Sequence, residues 1–74
     1  MATEKETCLM FVGKSIENSD IKALLRKYGL QATDYGSSAK VTGYKTMILA
    51  FAADLKKNDK NPLVGQISRW ITNK

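Results

Sequence analysis

The stretch YKTMILAFAADLKK, residues 44–57, decides how the chain folds. Tyr44, Met47, Ile48, Phe51, Ala52 and Leu55 recur at i, i+3, i+4, i+7, i+8 and i+11, the positions of one helical face. Leu49, Ala50 and Ala53 keep the flanks apolar, and only Lys45, Asp54, Lys56 and Lys57 carry charge. A helix this apolar on most sides is expected to be a core element. In a chain of 74 residues it is expected to be the central one, over 43–57.

Upstream, residues 40–41 read as a brief third strand or as the approach to this helix, with Thr42 as its cap. Gly36, Ser37 and Ser38 make a loop by composition. LQATDY, residues 30–35, alternates weakly and is expected to form a second strand, parallel to the first across a right-handed crossover. Before it, Ile21, Leu24, Leu25 and Tyr28 form a helical stripe. Asn18 or Ser19 is placed to cap that helix, Asp20 favours its positive end, and Gly29 stops it. TCLMFV, residues 7–12, reads as a strand buried on both faces and ended by Gly13. Residues 1–6 are polar and expected to fray.

Downstream, residues 58–61 break the pattern. Asn61 and Pro62 then suit the cap and first position of a last helix, whose apolar face is Leu63, Val64, Ile67, Trp70 and Ile71. The expected fold is a small single-domain α+β protein ordered β-α-β-α-α.

Composition limits the chemistry. One cysteine permits no intrachain disulfide, and without histidine a single chain builds no Cys/His zinc site. Cys8, inside an apolar strand, reads as a small buried hydrophobe. No Cys–His or Ser–His–Asp nucleophile can form, and no carboxylate pair is spaced for acid–base work. Gly13-Lys14-Ser15 follows a strand as a phosphate-binding loop does, but that pattern needs a glycine where Cys8 stands. No enzyme activity and no cofactor are therefore expected. The longest apolar run, residues 47–53, is far short of the roughly 20 residues of a membrane span. The charged start has no signal-peptide pattern, so a cytoplasmic, intracellular protein is expected.

The net charge of +5 is uneven. Residues 1–39 hold five basic and five acidic side chains, whereas residues 40–74 hold seven basic and two acidic. Such asymmetry points to an anionic partner for the second half, against the plain alternative of a solvated basic surface.

Three families share short stretches with the chain. Ile67-Ser68-Arg69-Trp70-Ile71-Thr72-Asn73-Lys74 resembles the closing half of recognition helices in helix-turn-helix regulators, although the preceding turn is longer than usual and has no glycine. Leu9-Met10-Phe11-Val12-Gly13 with Asp20-Ile21 and Tyr28-Gly29 resembles the first strand and helix of RNA-recognition motifs. There, residues 43–47 would have to serve as an aromatic third strand, where a helix pattern opens. The same β, α, β order resembles the start of BRCT-type phosphopeptide modules, without their paired glycines. The helix-turn-helix resemblance implies DNA binding. Gln66, Arg69, Thr72, Asn73 and Lys74 would lie nearest the bases or backbone, with Lys56, Lys57 and Lys60 flanking on phosphate. Core packing is expected for Tyr28, Tyr44, Phe51 and Trp70, and exposure for Tyr35. The competing expectation is a small adaptor or inhibitor that binds a larger protein, or a homodimer.

Overall fold

The computed structural model describes residues 5–71. Its elements are β1 (Lys5–Phe11), α1 (Ser19–Lys27), β2 (Gln31–Tyr35), β3 (Ser38–Tyr44), α2 (Lys45–Lys57) and β4 (Gln66–Ile71). The strands form one sheet in the order β2-β3-β1-β4, and every neighbouring pair is antiparallel. This is the β-α-β-β-α-β arrangement of the split βαβ, or ferredoxin-like, topology. The α+β class is as expected; the β-α-β-α-α order is not.

One sheet face is buried and the other is open. Cys8, Met10 and Val12 from the β1 segment and Ala39 and Val41 from β3 are fully buried. They share one core with Ile21 and Leu25 of α1 and with Ile48, Phe51, Ala52 and Leu55 of α2. Both helices therefore cover the same face. Alternation in a strand sends the intervening residues to the opposite side.

The helices start and stop for local reasons. Asn18 Oδ1 accepts from the Asp20 amide at 2.9 Å, which satisfies one free donor of the first turn of α1. Gly29, at φ +65°, takes the left-handed position after it. The organising helix is close to its expected span, but Tyr44 is its N-cap and makes no side-chain cap bond. Thr42, expected as that cap, instead pairs its hydroxyl with that of Thr7 at 3.1 Å. Tyr44 and Met47, expected in the core, are exposed, because the buried stripe is the narrower Ile48, Phe51, Ala52, Leu55 series.

The largest correction concerns the end of the chain. Residues 62–65 are turn, and Gln66–Ile71 is a strand rather than a helix. Asn61 still caps, accepting from the Leu63 amide at 3.0 Å, but it caps this turn. Gly65 adopts φ +83°, and a Cβ there would stand 2.5 Å from the Ala52 carbonyl oxygen. Its amide donates to the Phe11 carbonyl at 2.7 Å, which starts the β1–β4 ladder. In that ladder Met10 faces Ile67, Leu9 faces Arg69 and Cys8 faces Trp70, so Ser68 has no counterpart and forms a bulge. The bulge lets Ile67 and Trp70, three residues apart, both pack on the core. That spacing is helical on paper, which is why the segment reads as a helix.

The remaining strand expectations are partly met. β2 exists and runs in the direction of β1, but β3 lies between them, so the two are not paired. The expected third strand is longer than two residues and joins β2 through a tight Gly36-Ser37 turn. β1 is fully buried at Cys8 and Met10 on one face and only partly on the other, where Thr7 is buried and Leu9 and Phe11 are partly buried. Lys5 and Glu6, expected to fray, open β1. Gly43 belongs to the buried side because the Leu30 side chain fills its place, within 2.3 Å of where a Cβ would stand.

A phenol–carboxylate contact ties the helices together. The Tyr28 hydroxyl donates to Asp54 Oδ2, and Lys27 Nζ lies 3.8 Å from the same oxygen. Asp54, through this hydrogen bond first and then through burial and its charge, raises the Tyr28 pKa above that of an ordinary phenol.

Phe51 is wholly buried. Phe51→Ala is expected to cost about 3–5 kcal/mol, most of the stability of a domain this small. Loss of the cooperative thermal transition by circular dichroism checks this, and a wild-type melt would contradict it.

Burial pushes the Cys8 thiol up to about 11. The folded state thus holds its proton longer than the unfolded state does. The resulting stability is full below pH about 9 and is lost as pH rises through about 11, and the raised Tyr28 phenol adds a loss in the same direction. Denaturant melts at rising pH should show this decline. Cys8→Ala and Tyr28→Phe should each flatten part of it. Native Cys8 should also label slowly with a thiol reagent and quickly in denaturant.

Candidate nucleic-acid interface

The open face of the sheet is a grid whose rows are set by strand register. One row runs Ile71, Thr7, Thr42, Gln31 from β4 to β2. The next runs Arg69, Leu9, Lys40, Thr33, and the next Gln66, Phe11, Ser38, Tyr35. At the other end Lys5 faces Tyr44. Successive rows lie about 7 Å apart along the strands and neighbouring columns about 4.8 Å apart.

Charge on this grid has one sign. Lys5, Lys40 and Arg69 stand on it, and no carboxylate of the described residues does. Glu6 faces Gly43 and Asp34 faces Ala39, which places both on the helix-bearing side. Asp34 is also engaged there, accepting from Ser15 Oγ at 2.8 Å and from the Gly36 amide at 2.9 Å. Arg69 and Lys5 are exposed, and Lys40 is half-buried between its neighbours.

Apolar and aromatic side chains lie between these cations. Tyr35 is 55% exposed, as the sequence suggests, and shares a row with Phe11, which is partly buried and also packs against the core. Tyr44, 48% exposed, closes the far end. At the centre the Thr7 and Thr42 hydroxyls satisfy each other. Among the described residues no buried side-chain polar atom lacks a partner.

The sequence-derived candidates are divided by this geometry. Gln66 and Arg69 lie on the open face in β4. Lys56 and Lys57 lie in the last turn of α2, on the helix-bearing side, and Lys60 lies in the loop beyond it. Lys56 and Gln66 both line a shallow groove at the edge of the sheet with Leu49, Ala53 and Ile67. Thr72, Asn73 and Lys74 lie outside the described residues. No recognition helix presents Gln66 and Arg69, because their segment is β4. Trp70 faces the core side, where Lys45 Nζ sits 5.2 Å from its ring centre.

Lys5, Lys40 and Phe11 are not among those candidates. A signal for Lys40 exists in SAKVTGY, residues 38–44, where Ala39, Val41 and Gly43 alternate with Lys40, Thr42 and Tyr44. For Phe11 the signal is masked, because residues 8–12 are apolar without a break.

A second concavity of about 420 Å³ lies between the helices. Val12, Ile21, Leu24, Leu55 and Val64 line it, and its rim carries both signs, with Lys14 and Lys27 beside Asp20, Asp54 and Asp59. A mixed rim of this kind does not select a polyanion. Among the described residues, no three His, Cys, Asp or Glu side chains gather as metal ligands. No helix among them is long and apolar enough to cross a membrane. Comparisons with protein-family models, curated proteins and solved structures gave no match.

Proposed function

We propose that this is a non-enzymatic nucleic-acid-binding protein that uses the open face of its sheet. The observation that carries the reading is the segregation of charge: Lys5, Lys40 and Arg69 share that face with no carboxylate of the described residues. A polyanion gains from such a face, because each phosphate neutralised releases condensed counterions. The exposed aromatics among the cations suit bases better than they suit an acidic peptide. Fold alone contributes nothing here, since one fold hosts many activities. The sequence-derived candidates on this face are thereby narrowed to Arg69 and the neutral Gln66, and are joined by Lys5 and Lys40.

A protein-binding adaptor is the second reading. The exposed Met47, Leu49 and Leu63 and the shallow groove between α2 and β4 favour it. That groove lies toward the helix-bearing side, so the two readings use different surfaces that share only Gln66 at the sheet edge.

Salt dependence separates them. With three phosphate contacts the log–log slope of affinity against salt is expected near −2 on a single strand, at about −0.7 for each contact. Lys40→Ala with Arg69→Ala should reduce that slope by about 1.4, with the melting curve retained. Lys56→Ala with Lys57→Ala should leave it unchanged. Loss of slope with the second pair alone would move the anion to the helix-bearing side. Absence of binding at low salt would leave the adaptor reading.

A further inference from the structure

Given the proposed nucleic-acid function, on which the inference rests, the same grid also selects the form of nucleic acid. We infer that the open face binds a single strand, with unpaired bases stacked on Phe11 and Tyr35 and phosphates held by Lys40 and Arg69.

Size decides against direct reading of a duplex. The axes of the outer strands β2 and β4 lie about 14 Å apart, three gaps of about 4.8 Å. The major groove is about 12 Å wide and admits a helix or a two-stranded ribbon. A four-stranded sheet presented face-on does not enter it. Against a duplex, Phe11 and Tyr35 would meet phosphate and sugar, which offer a ring nothing to stack on. In an unpaired strand the base faces are free.

The arrangement of the two rows matches that need. Arg69 and Lys40 occupy one row, on β4 and β3, with Leu9 between them. Phe11 and Tyr35 occupy the next, on β1 and β2, with the small Ser38 between them. The rings are therefore about 10 Å apart across the sheet and about 7 Å along it from the cation row. Ser38 leaves a gap between the rings that a large side chain would fill. A backbone running along the cation row turns its bases onto the ring row. The hairpin carrying Tyr35 is tied back by Asp34, which accepts from the Gly36 amide and from Ser15 Oγ.

The experiment compares one mixed sequence as RNA single strand, DNA single strand and DNA duplex at one low salt concentration, with polyglutamate as competitor. Tyr35→Ala is the leading variant, because the side chain is 55% exposed and its removal leaves the core intact. Phe11→Leu keeps apolar volume while removing the ring, and Tyr35→Trp keeps a ring and adds a fluorophore. The expected result is tighter binding of a single strand than of the duplex. Tyr35→Ala should weaken single-strand binding by about 5- to 150-fold, the range of one lost base stack, and leave duplex binding unchanged. Phe11→Leu should act in the same direction. Tyr35→Trp should retain affinity, with its emission quenched on binding. The RNA and DNA arms show whether the 2′-hydroxyl contributes. Duplex binding as tight as single-strand binding, or single-strand binding indifferent to Tyr35→Ala and Phe11→Leu, would overturn this inference and leave the charge-based reading standing. Failure of every nucleic acid to bind, or equal competition by polyglutamate, would overturn both.

Discussion

Strand β1 must be hydrogen-bonded along both edges, and most of the molecule is shaped by meeting that demand. Its buried residues Cys8 and Met10, with Val12 just beyond, need cover on one face, which Ile48 and Phe51 help to supply. Its backbone groups need partners on both sides, because an unpaired buried amide costs as much as the burial of several methylenes gains. β3 satisfies one edge and β4 the other. β4 can do so only because Gly65 lets the chain pass close against Ala52 and reverse. The apolar helix is thus the lid of the core, while the central strand sets the topology.

Local chemistry makes much of this legible. The α1 stripe, its Asn18 cap and its Gly29 stop are written in adjacent residues, and so is the long apolar run of α2. What cannot be read locally is partnership. A β1 with two edges requires two further strands, and residues 38–44 and 66–71 supply them. Gly65 inside a supposed helix and the β-branched Ile67 and Ile71 favour a strand there. The bulge at Ser68 hides that preference by giving Ile67 and Trp70 a helical spacing. On the surface the limit is of the same kind. Arg69 and Gln66 stand out for their chemistry, and they do share a face, but their neighbours Lys40 and Lys5 come from strands distant in sequence. No window along the chain contains that cluster.

The two faces of the sheet carry separate loads. The core side holds nearly all the fully buried side chains and the contact between Tyr28 and Asp54. The open side holds cations, aromatics and paired hydroxyls, with little that the core depends on. Such a division lets surface chemistry vary with small cost to folding. Thr7 and Phe11 are the exceptions, being packed as well as forward-facing. Substitutions there act on both functions at once, whereas Tyr35, Lys40 and Arg69 are free of that coupling.

The pairing of Thr7 with Ile71 has a consequence for synthesis on the ribosome. The first described strand waits for the last one, with two helices and a hairpin made in between. Until β4 emerges, one edge of β1 offers unpaired amides and carbonyls beside Cys8 and Met10, and such an edge recruits any other strand in reach. The nascent chain therefore passes through a sticky stage that local structure cannot relieve, and its maturation is bound to the release of the whole sheet. Pairings this distant in sequence also slow folding relative to helical domains of equal size.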